Sequence, residues 1–458
     1  MWTPRIQKGA SPLYVCLADA LAEDIAQGIL SEGTKLPPHR DLAYRLSIGV
    51  GTVTKAYEEA ERRGLIVAYV GRGSFVARPT QAQSKRSDAP YNLAMNTAPA
   101  APAQARISEA MNALRRAPDL ADLLAYAPPL GREADRRAGA EWLKRISRLD
   151  QSNERKTICT IGAQHAMTLL FGALLRRGDT ILAENLNYIG LKSLAQHQGY
   201  ALHGVAMDGE GLCPDALERA ARETDARVLY TVPTLHNPTA RIMSMARRQA
   251  IANVARRLDL IIIEDDIYAH FARSLDICPI ANFAPERTYL ITGLSKAVAP
   301  GLRAGYLALP DESLLDQLTQ ISRATIFAPS SLPFALASLM FNNGMSEAII
   351  VEVYAEISAR TSIALNHIGE ACETPATPAS LHLWLPMGEL EAEKVAGRAQ
   401  RAGLSLLPPG VSAIGDGVET GLRISLGAVT GQAELIEALD RLRNALAGEM
   451  PMHGRGLI

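Results

Sequence analysis

The sequence is short of the features that mark several large classes of protein. Its five cysteines (Cys16, Cys159, Cys213, Cys278, Cys372) are odd in number, far apart and free of CxxC spacing. That argues against a disulfide framework or a zinc site and fits a reducing cytoplasm. No uninterrupted run of about 18 apolar residues is present, so no membrane span is expected. The N-terminal MWTPRIQKG lacks the apolar segment of a signal peptide. Net charge is only −1, so the chain as a whole has no basic signature and any nucleic-acid contact must come from a local patch. What is present is an ordinary globular balance, 48% hydrophobic and 21% charged, over 458 residues. That length allows about three domains, or one large α/β unit plus a small one.

From Met1 to Thr80 the pattern is helical, then β-rich. Ser11-Pro12 is a helix start: a capping hydroxyl, then proline at the first helical position. Leu13, Leu17, Leu21, Ile25 and Ile29 recur every four residues, which predicts one apolar face of a helix of about five turns. Gly33 closes it, and Leu36-Pro37-Pro38-His39 reads as an extended turn. Two shorter helices follow. Arg40 to Leu46 turns Leu42, Ala43 and Leu46 inward; Thr52 to Arg63 turns Val53, Ala56, Tyr57 and Ala60 inward, with Gly64 past its end. Leu65 to Val76 (LIVAYVGRGSFV) sets two β-rich runs about Gly71-Arg72-Gly73, a hairpin signal.

Helix, helix–turn–helix and hairpin is the winged-helix order. The second paired helix enters the major groove, and the wing reaches phosphate or the minor groove. Thr52, Thr54 and Lys55 are candidate contacts to bases and phosphates. Arg40, Arg45, Arg62, Arg63, Arg72 and the wing's Gly73 are candidates for holding the backbone. Ten Lys/Arg stand against eight Asp/Glu here, a balance of +2, so pattern carries more weight than charge. A helical interaction module with the same core is the plain alternative. On LPPHRDLAYRL, GTVTKAYEEAERRGLI and VGRGSFV, the segment Pro12 to Val76 resembles the DNA-binding domain of GntR-type bacterial repressors. The commonest form of that family has Ser-Arg ahead of the recognition helix; this chain has Gly49-Val50 and lacks that arginine.

Arg78 to Ala89 (RPTQAQSKRSDA) is polar, lacks apolar periodicity and reads as a linker. Extended, it would span up to about 40 Å. The expected organisation is a DNA-binding domain at 1–77, the linker at 78–89 and a large α/β domain at 90–458. In the large part, strand candidates are Thr157 to Thr160, Thr180 to Ala183, Val228 to Val232, Leu260 to Ile263, Thr288 to Ile291 and Gly305 to Leu309. Helical runs such as Ala163 to Leu175 and Arg247 to Leu258 separate most of them. That implies a mostly parallel sheet covered by helices, with ligands bound beyond the carboxyl ends of its strands.

Those strand ends carry the chemistry. One is followed by Gly162-Ala163-Gln164, opening a helix whose N–H groups suit an anion. A second precedes Tyr188, an aromatic that could stack on a flat ring, and a third precedes Asn237-Pro238. The fourth leads to Asp265, which could face a pyridine nitrogen, and Tyr268. The fifth leads to Ser295-Lys296, with Arg303 seven residues on. Lysine condenses with an aldehyde, and arginine forks onto a phosphate. Taken singly, each is also a cap, a turn or a core residue. Five strand ends with matching chemistry in one order are harder to attribute to chance.

On these motifs, Tyr91 to Leu446 resembles fold-type I PLP-dependent aminotransferases (PLP, pyridoxal 5′-phosphate). The resemblance implies a small C-terminal α+β subdomain and these roles. Lys296 forms the Schiff base with PLP and Asp265 pairs with its ring nitrogen. Asn237 and Tyr268 contact its ring oxygen, and Tyr188 stacks on it. Gly162, Ala163, Gln164, Ser295 and Arg303 hold its phosphate. Arg423, in GLRISLG, binds a ligand carboxylate, and Tyr126 reaches a neighbouring subunit. Two positions depart from the family: Gly293 where a hydroxyl residue is usual, with Thr292 as its substitute or one contact absent, and Ala240 where glycine is usual.

The two halves together resemble MocR-like regulators, PLP-binding bacterial transcription factors that are usually head-to-tail homodimers. The resemblance implies a cytoplasmic regulator on double-stranded DNA. Its input is either an amino acid or amine read through the Lys296 aldimine, or PLP itself. An aminotransferase carrying a DNA-binding domain is the alternative, and a DNA-binding protein with the large domain as scaffold is a third.

Overall fold

The computed structural model of the chain describes residues 2–4, 12–26, 29–31, 33–62, 65–69, 73–76, 91–415 and 417–448. The expectations at Ser11, Arg63, Gly64, Gly71, Arg72 and 78–89 lie outside these residues. Internal contacts divide the chain into two units, Met1–Ala89 and Pro90–Ile458.

The first unit holds α1 (Leu13–Ala26), α2 (His39–Leu46), α3 (Val50–Arg62), β1 (Ile66–Tyr69) and β2 (Gly73–Val76). The two strands pair antiparallel, with Ile66 opposite Val76 and Tyr69 opposite Gly73. Leu17 and Leu21 of α1, Leu42 and Ala43 of α2, and Val53, Ala56, Tyr57 and Ala60 of α3 bury into one core. Each buried leucine contributes about 1.5–3 kcal/mol over its exposed state. Ser47 turns the chain between α2 and α3 in the left-handed region, at φ 52. Extended chain at 34–36 flanks the hairpin: Leu36 N donates to Ser74 O and Val76 N to Thr34 O, both at 2.9 Å. The first helix is shorter than the leucine repeat predicts. It ends at Ala26, and the N–H groups of Ile29 and Leu30 both turn back to the Asp24 carbonyl. The chain therefore leaves the helical path, Ile29 stands 62% exposed, and Leu30 enters the core in its place.

The second unit is built on seven strands: β3 (Thr157–Thr160), β4 (Thr180–Glu184), β5 (Ala201–Val205), β6 (Val228–Thr231), β7 (Ile261–Asp265), β8 (Thr288–Gly293) and β9 (Gly305–Ala308). Their order across the sheet is β3-β9-β8-β7-β6-β4-β5. Only β9 runs against the other six. Runs such as Ile261-Ile262-Ile263 are apolar on both faces because helices cover both sides of a parallel sheet. The edge strand β5 was not expected. Ala201 is exposed and Leu202 to Gly204 are half-buried, so ALHGV shows neither the continuous apolar run nor the alternation that marks a strand.

A smaller α+β layer follows. His382–Pro386 and Gly421–Ser425 pair antiparallel against helices Met345–Ile368, Glu389–Arg401 and Gln432–Leu446. Tyr91–Asn92 pairs with Leu404–Ser405, which brings Leu93 into the same core. Arg360, on the long helix, is buried. Its guanidinium donates to Glu356 (2.7 Å) and to the carbonyls of Leu426 (2.9 Å), Val429 (2.7 Å) and Thr430 (3.2 Å). Every one of these acceptors offsets part of the desolvation of the buried cation. No single helix among the described residues is long and apolar enough to cross a membrane.

Beside the sheet, Glu264 and Asp266 are buried with one guanidinium, Arg248, which lies 3.7 Å from Glu264. Glu264 also accepts the N–H groups of Ile280 (2.8 Å) and Ala281 (2.9 Å), so the ionised form is better supplied there. Burial first, and Glu264 second, push the Asp266 carboxyl well above the usual range. The folded state thus holds this proton where the unfolded chain has released it. Stability from this group is full below the ordinary carboxylate pKa and falls as pH rises toward the folded value, by about 1.4 kcal/mol for each pH unit. Asp266→Asn is expected to flatten this decline. Urea midpoints of the two proteins between acid and alkaline pH should diverge as pH rises; parallel curves would refute the assignment.

Candidate functional site

The carboxyl ends of β3, β4, β6, β7 and β8 open on one cavity of about 1090 Å³, including its mouth. Lys296, Asp265, Arg303, Arg423, Asn237, Tyr188, Tyr268, Ser295, Ala163 and Gln164 all line it. The sequence assigned these residues from separate stretches, and the fold brings them together.

Lys296 follows β8 in a turn, and its amine donates to the backbone carbonyl of Asn96. Loss of water around the amine, then the nearby positive charge of Arg423, lowers its pKa to about 8; Asp265 opposes this and Arg303 adds to it. A lysine so placed is a usable nucleophile near neutral pH. Asp265 ends β7. Burial raises its pKa to about 6, against the bond that Tyr230 donates to Oδ2 at 2.7 Å. Its other oxygen, Oδ1, is buried with no partner among the described residues. An acceptor of that kind facing a cavity suits a protonated ring nitrogen.

The anion end is formed at Gly162, which precedes the helix Ala163–Leu174. Gly162 has φ 98, and a Cβ there would lie 2.8 Å from an Arg303 nitrogen. Only glycine lets the guanidinium close over the helix start, where the first N–H groups lie outside the helical ladder. Arg303 is held there by a 2.9 Å bond to the Ile161 carbonyl. Gln164 donates to Gly190 O at 2.9 Å, which leaves its own oxygen without a partner among the described residues. At the other end Arg423 donates to Asn237 Oδ1 at 2.9 Å and to the Ala94 carbonyl, while its Nε is buried without a partner among the described residues. Donor set, orphaned acceptor and glycine-lined cradle fit PLP.

Gly293 lines the cavity, and a Cβ on it would meet the Ala304 carbonyl at 3.2 Å, because β9 passes close by. A larger residue would crowd that crossing. Thr292 is buried within β8 and is not part of the cavity wall. Ala240 sits in the left-handed region at φ 59, where glycine would be unstrained. Tyr126 is 88% exposed, its ring 5.0 Å from that of Phe327, and it is not part of this cavity. Three residues near the cofactor end escaped the sequence reading: Tyr230, inside a strand; Asn96, in the first segment after the linker; and His382, in the C-terminal layer.

In the first unit Arg40, Arg45 and Lys55 are exposed, and Thr52 and Thr54 are half-exposed. The Thr54 hydroxyl lies 3.1 Å from Val50 O, to which it can donate, and 3.2 Å from His39 Nδ1, so neighbouring groups already engage it. Gly73 opens β2 at φ 100, beside Lys35, whose ammonium lies 5.8 Å from the Phe75 ring. Lys35 adds a cation at the base of the hairpin that the sequence reading did not single out.

Known proteins give the same division of the chain. Residues 13–76 match the family described as bacterial regulatory proteins, gntR family, and residues 90–442 match aminotransferase class I and II. The HTH-type transcriptional regulator YdeF of Bacillus subtilis is 29% identical over 462 residues, covering 97% of this chain and 96% of its own. Aminotransferase swnA of Metarhizium robertsii is 36% identical over 203 residues, 41% of each chain. An archaeal alanine:glyoxylate aminotransferase structure superposes with a TM-score of 0.72 at 23% identity, covering 81% of this chain and 93% of that one. The chain therefore belongs to the aminotransferase class I and II family, whose cofactor is PLP, and carries a gntR-family helix–turn–helix domain ahead of it, the composition of MocR-like regulators.

Proposed function

We propose that this GntR-type regulator binds operator half-sites in double-stranded DNA through α3 and the hairpin, and that its large domain reports PLP, or an amino-group ligand meeting PLP, to the DNA-binding domain. The reading places it in the cytoplasm as a head-to-tail homodimer, with the exposed Tyr126 turned to the neighbouring subunit. One observation carries it: a single cavity holds a lysine amine near pKa 8, a buried carboxylate with an unpaired oxygen and two guanidinium groups, and the same chain bears a gntR-type domain.

When bound, PLP supplies an aldehyde that primary amines condense with and a ring that withdraws electrons. Arg303 and the helix start at Gly162 hold its phosphate. Asp265, kept in place by Tyr230, would face the ring nitrogen and favour its protonated form. Lys296 would place its amine at the aldehyde, where the amine of a ligand would compete with it. Arg423 receives the ligand's carboxylate in exchange for the Ala94 carbonyl. A ligand that makes these exchanges only in one conformation shifts the population toward it by its difference in affinity. The half-sites then respond through the dimer's spacing or mobility.

The likeness to an aminotransferase over 203 residues favours a second reading, an enzyme that also binds DNA. Titrating the PLP-loaded protein with amino acids and amines, with DNA binding followed in parallel, separates the two. The regulator changes its visible absorbance and its DNA affinity together. Sustained turnover of amino acid and 2-oxo acid without operator binding would sink it.

Two further outcomes follow from the geometry. Arg303→Ala is expected to weaken PLP retention by roughly 10- to 100-fold, the worth of a charge-assisted pair; dialysis and absorbance would measure it, and equal retention would refute the phosphate assignment. PLP uptake by the cofactor-free protein should accelerate with pH as Lys296 loses its proton, and level off above about 8. An ordinary lysine would level off only above ~10.4. A rate still climbing beyond that value would exclude the enclosed amine seen here.

A further inference from the structure

Asn96, which lines the cavity, joins three separate segments of the chain. Its backbone carbonyl accepts from the Lys296 amine. Its side-chain nitrogen lies 3.0 Å from the Tyr268 hydroxyl and 3.0 Å from His382 Nδ1. The direction of each hydrogen follows from the chemistry of the partners. His382 Nε2 lies 3.0 Å from the His236 carbonyl, which can only accept, so Nε2 carries the hydrogen. Burial, then the charge of Arg423, lowers the His382 pKa to about 3, so the ring is neutral and Nδ1 is a bare acceptor. Only the NH2 of Asn96 can face that nitrogen, and the same NH2 therefore donates to Tyr268.

Across the cavity, Arg423 occupies Asn237 Oδ1, so Asn237 presents no free acceptor to the Tyr268 hydroxyl. The Tyr268 oxygen thus receives from the Asn96 amide, which offers it no acceptor in return, and its own hydrogen is left to point into the cavity that Tyr268 lines. Arg423, Asp265 and Tyr188 are the titratable groups that bear on this hydroxyl.

We propose that Asn96, oriented by His382, is the positioning residue that commits Tyr268 to donate its hydroxyl hydrogen into the cavity, toward an oxygen acceptor on the bound cofactor. The inference rests on the PLP reading of this site. Remove the His382 acceptor, and the Asn96 amide is free to turn over. Tyr268 then donates to Asn96 Oδ1 instead, and the cavity loses a donor. Asn96 acts through its side chain here, so Asn96→Leu keeps the backbone carbonyl that meets Lys296.

The test uses the full chain with Asn96→Leu, His382→Leu, His382→Gln and Tyr268→Phe. In PLP-free protein labelled at the tyrosine ring carbon bearing oxygen, the NMR signal lost in Tyr268→Phe belongs to Tyr268. That signal should move in Asn96→Leu and His382→Leu and return toward the wild-type position in His382→Gln, whose amide offers both an acceptor and a donor. In PLP-loaded protein, the pH midpoint of the visible absorbance should shift by about one pH unit in Asn96→Leu and Tyr268→Phe, the worth of one hydrogen bond. The double variant should match Tyr268→Phe alone. An unmoved Tyr268 signal, or an additional shift in the double variant, overturns the proposal. Should Asn96→Leu not fold, the contrast between His382→Leu and His382→Gln decides by the same two readouts. Failure to take up PLP would count against the function proposed above, while the NMR signal would still decide the hydrogen-bond chain.

Discussion

A lysine keeps its proton unless its surroundings make the charge expensive, and the large domain is arranged around that expense. Lys296 loses water on entering the cavity and meets two guanidinium groups, Arg423 and Arg303, against one nearby carboxylate, Asp265. The balance brings the amine to about 8. Two cations this close to an amine must themselves be held. Arg303 is fastened to Ile161, and Arg423 to Asn237 and Ala94. The same anchoring sets them where a phosphate and a carboxylate would be received. Affinity for the anions and reactivity of the amine therefore have one source.

The sheet makes this concentration possible. Strands β3, β4, β6, β7 and β8 point the same way, so the loops at their carboxyl ends gather at one edge. The reversed strand β9 carries Arg303 back to that edge, because the turn between β8 and β9 holds both Lys296 and Arg303. Close passage of β9 makes a side chain at Gly293 a tight fit, with a Cβ 3.2 Å from the Ala304 carbonyl, where the family usually has a hydroxyl residue. The C-terminal layer closes the cavity from the other side with Arg423, while His382 of the same layer sits behind Asn96.

Much of this was legible in the chain. Six of the seven strands lie within one or two residues of where apolar runs between turn signals put them, and Lys296, Asp265, Asn237 and Arg303 follow strands in an order with chemical sense. The misses have physical causes. The edge strand β5 is only half-buried and so has no pattern. The end of α1 was set by the Asp24 carbonyl capturing two N–H groups, which periodicity does not register. Tyr230 looked like another core residue of a buried strand until its hydroxyl met Asp265. Asn96, Tyr268 and His382 lie far apart in the chain, and no spacing rule links them.

Residue chemistry and local pattern by themselves determined that this chain has a helix–turn–helix with a hairpin, a mostly parallel sheet, and a lysine and an arginine seven residues apart just beyond a strand. Those properties are local, because capping, periodicity and turn preference act over a few neighbouring residues. Tertiary structure alone decided the protonation of Lys296, the unpaired Oδ1 of Asp265 and the direction of the Tyr268 hydrogen. Each depends on desolvation or on a hydrogen-bond partner brought in from elsewhere in the fold, and neither exists until distant segments have packed together.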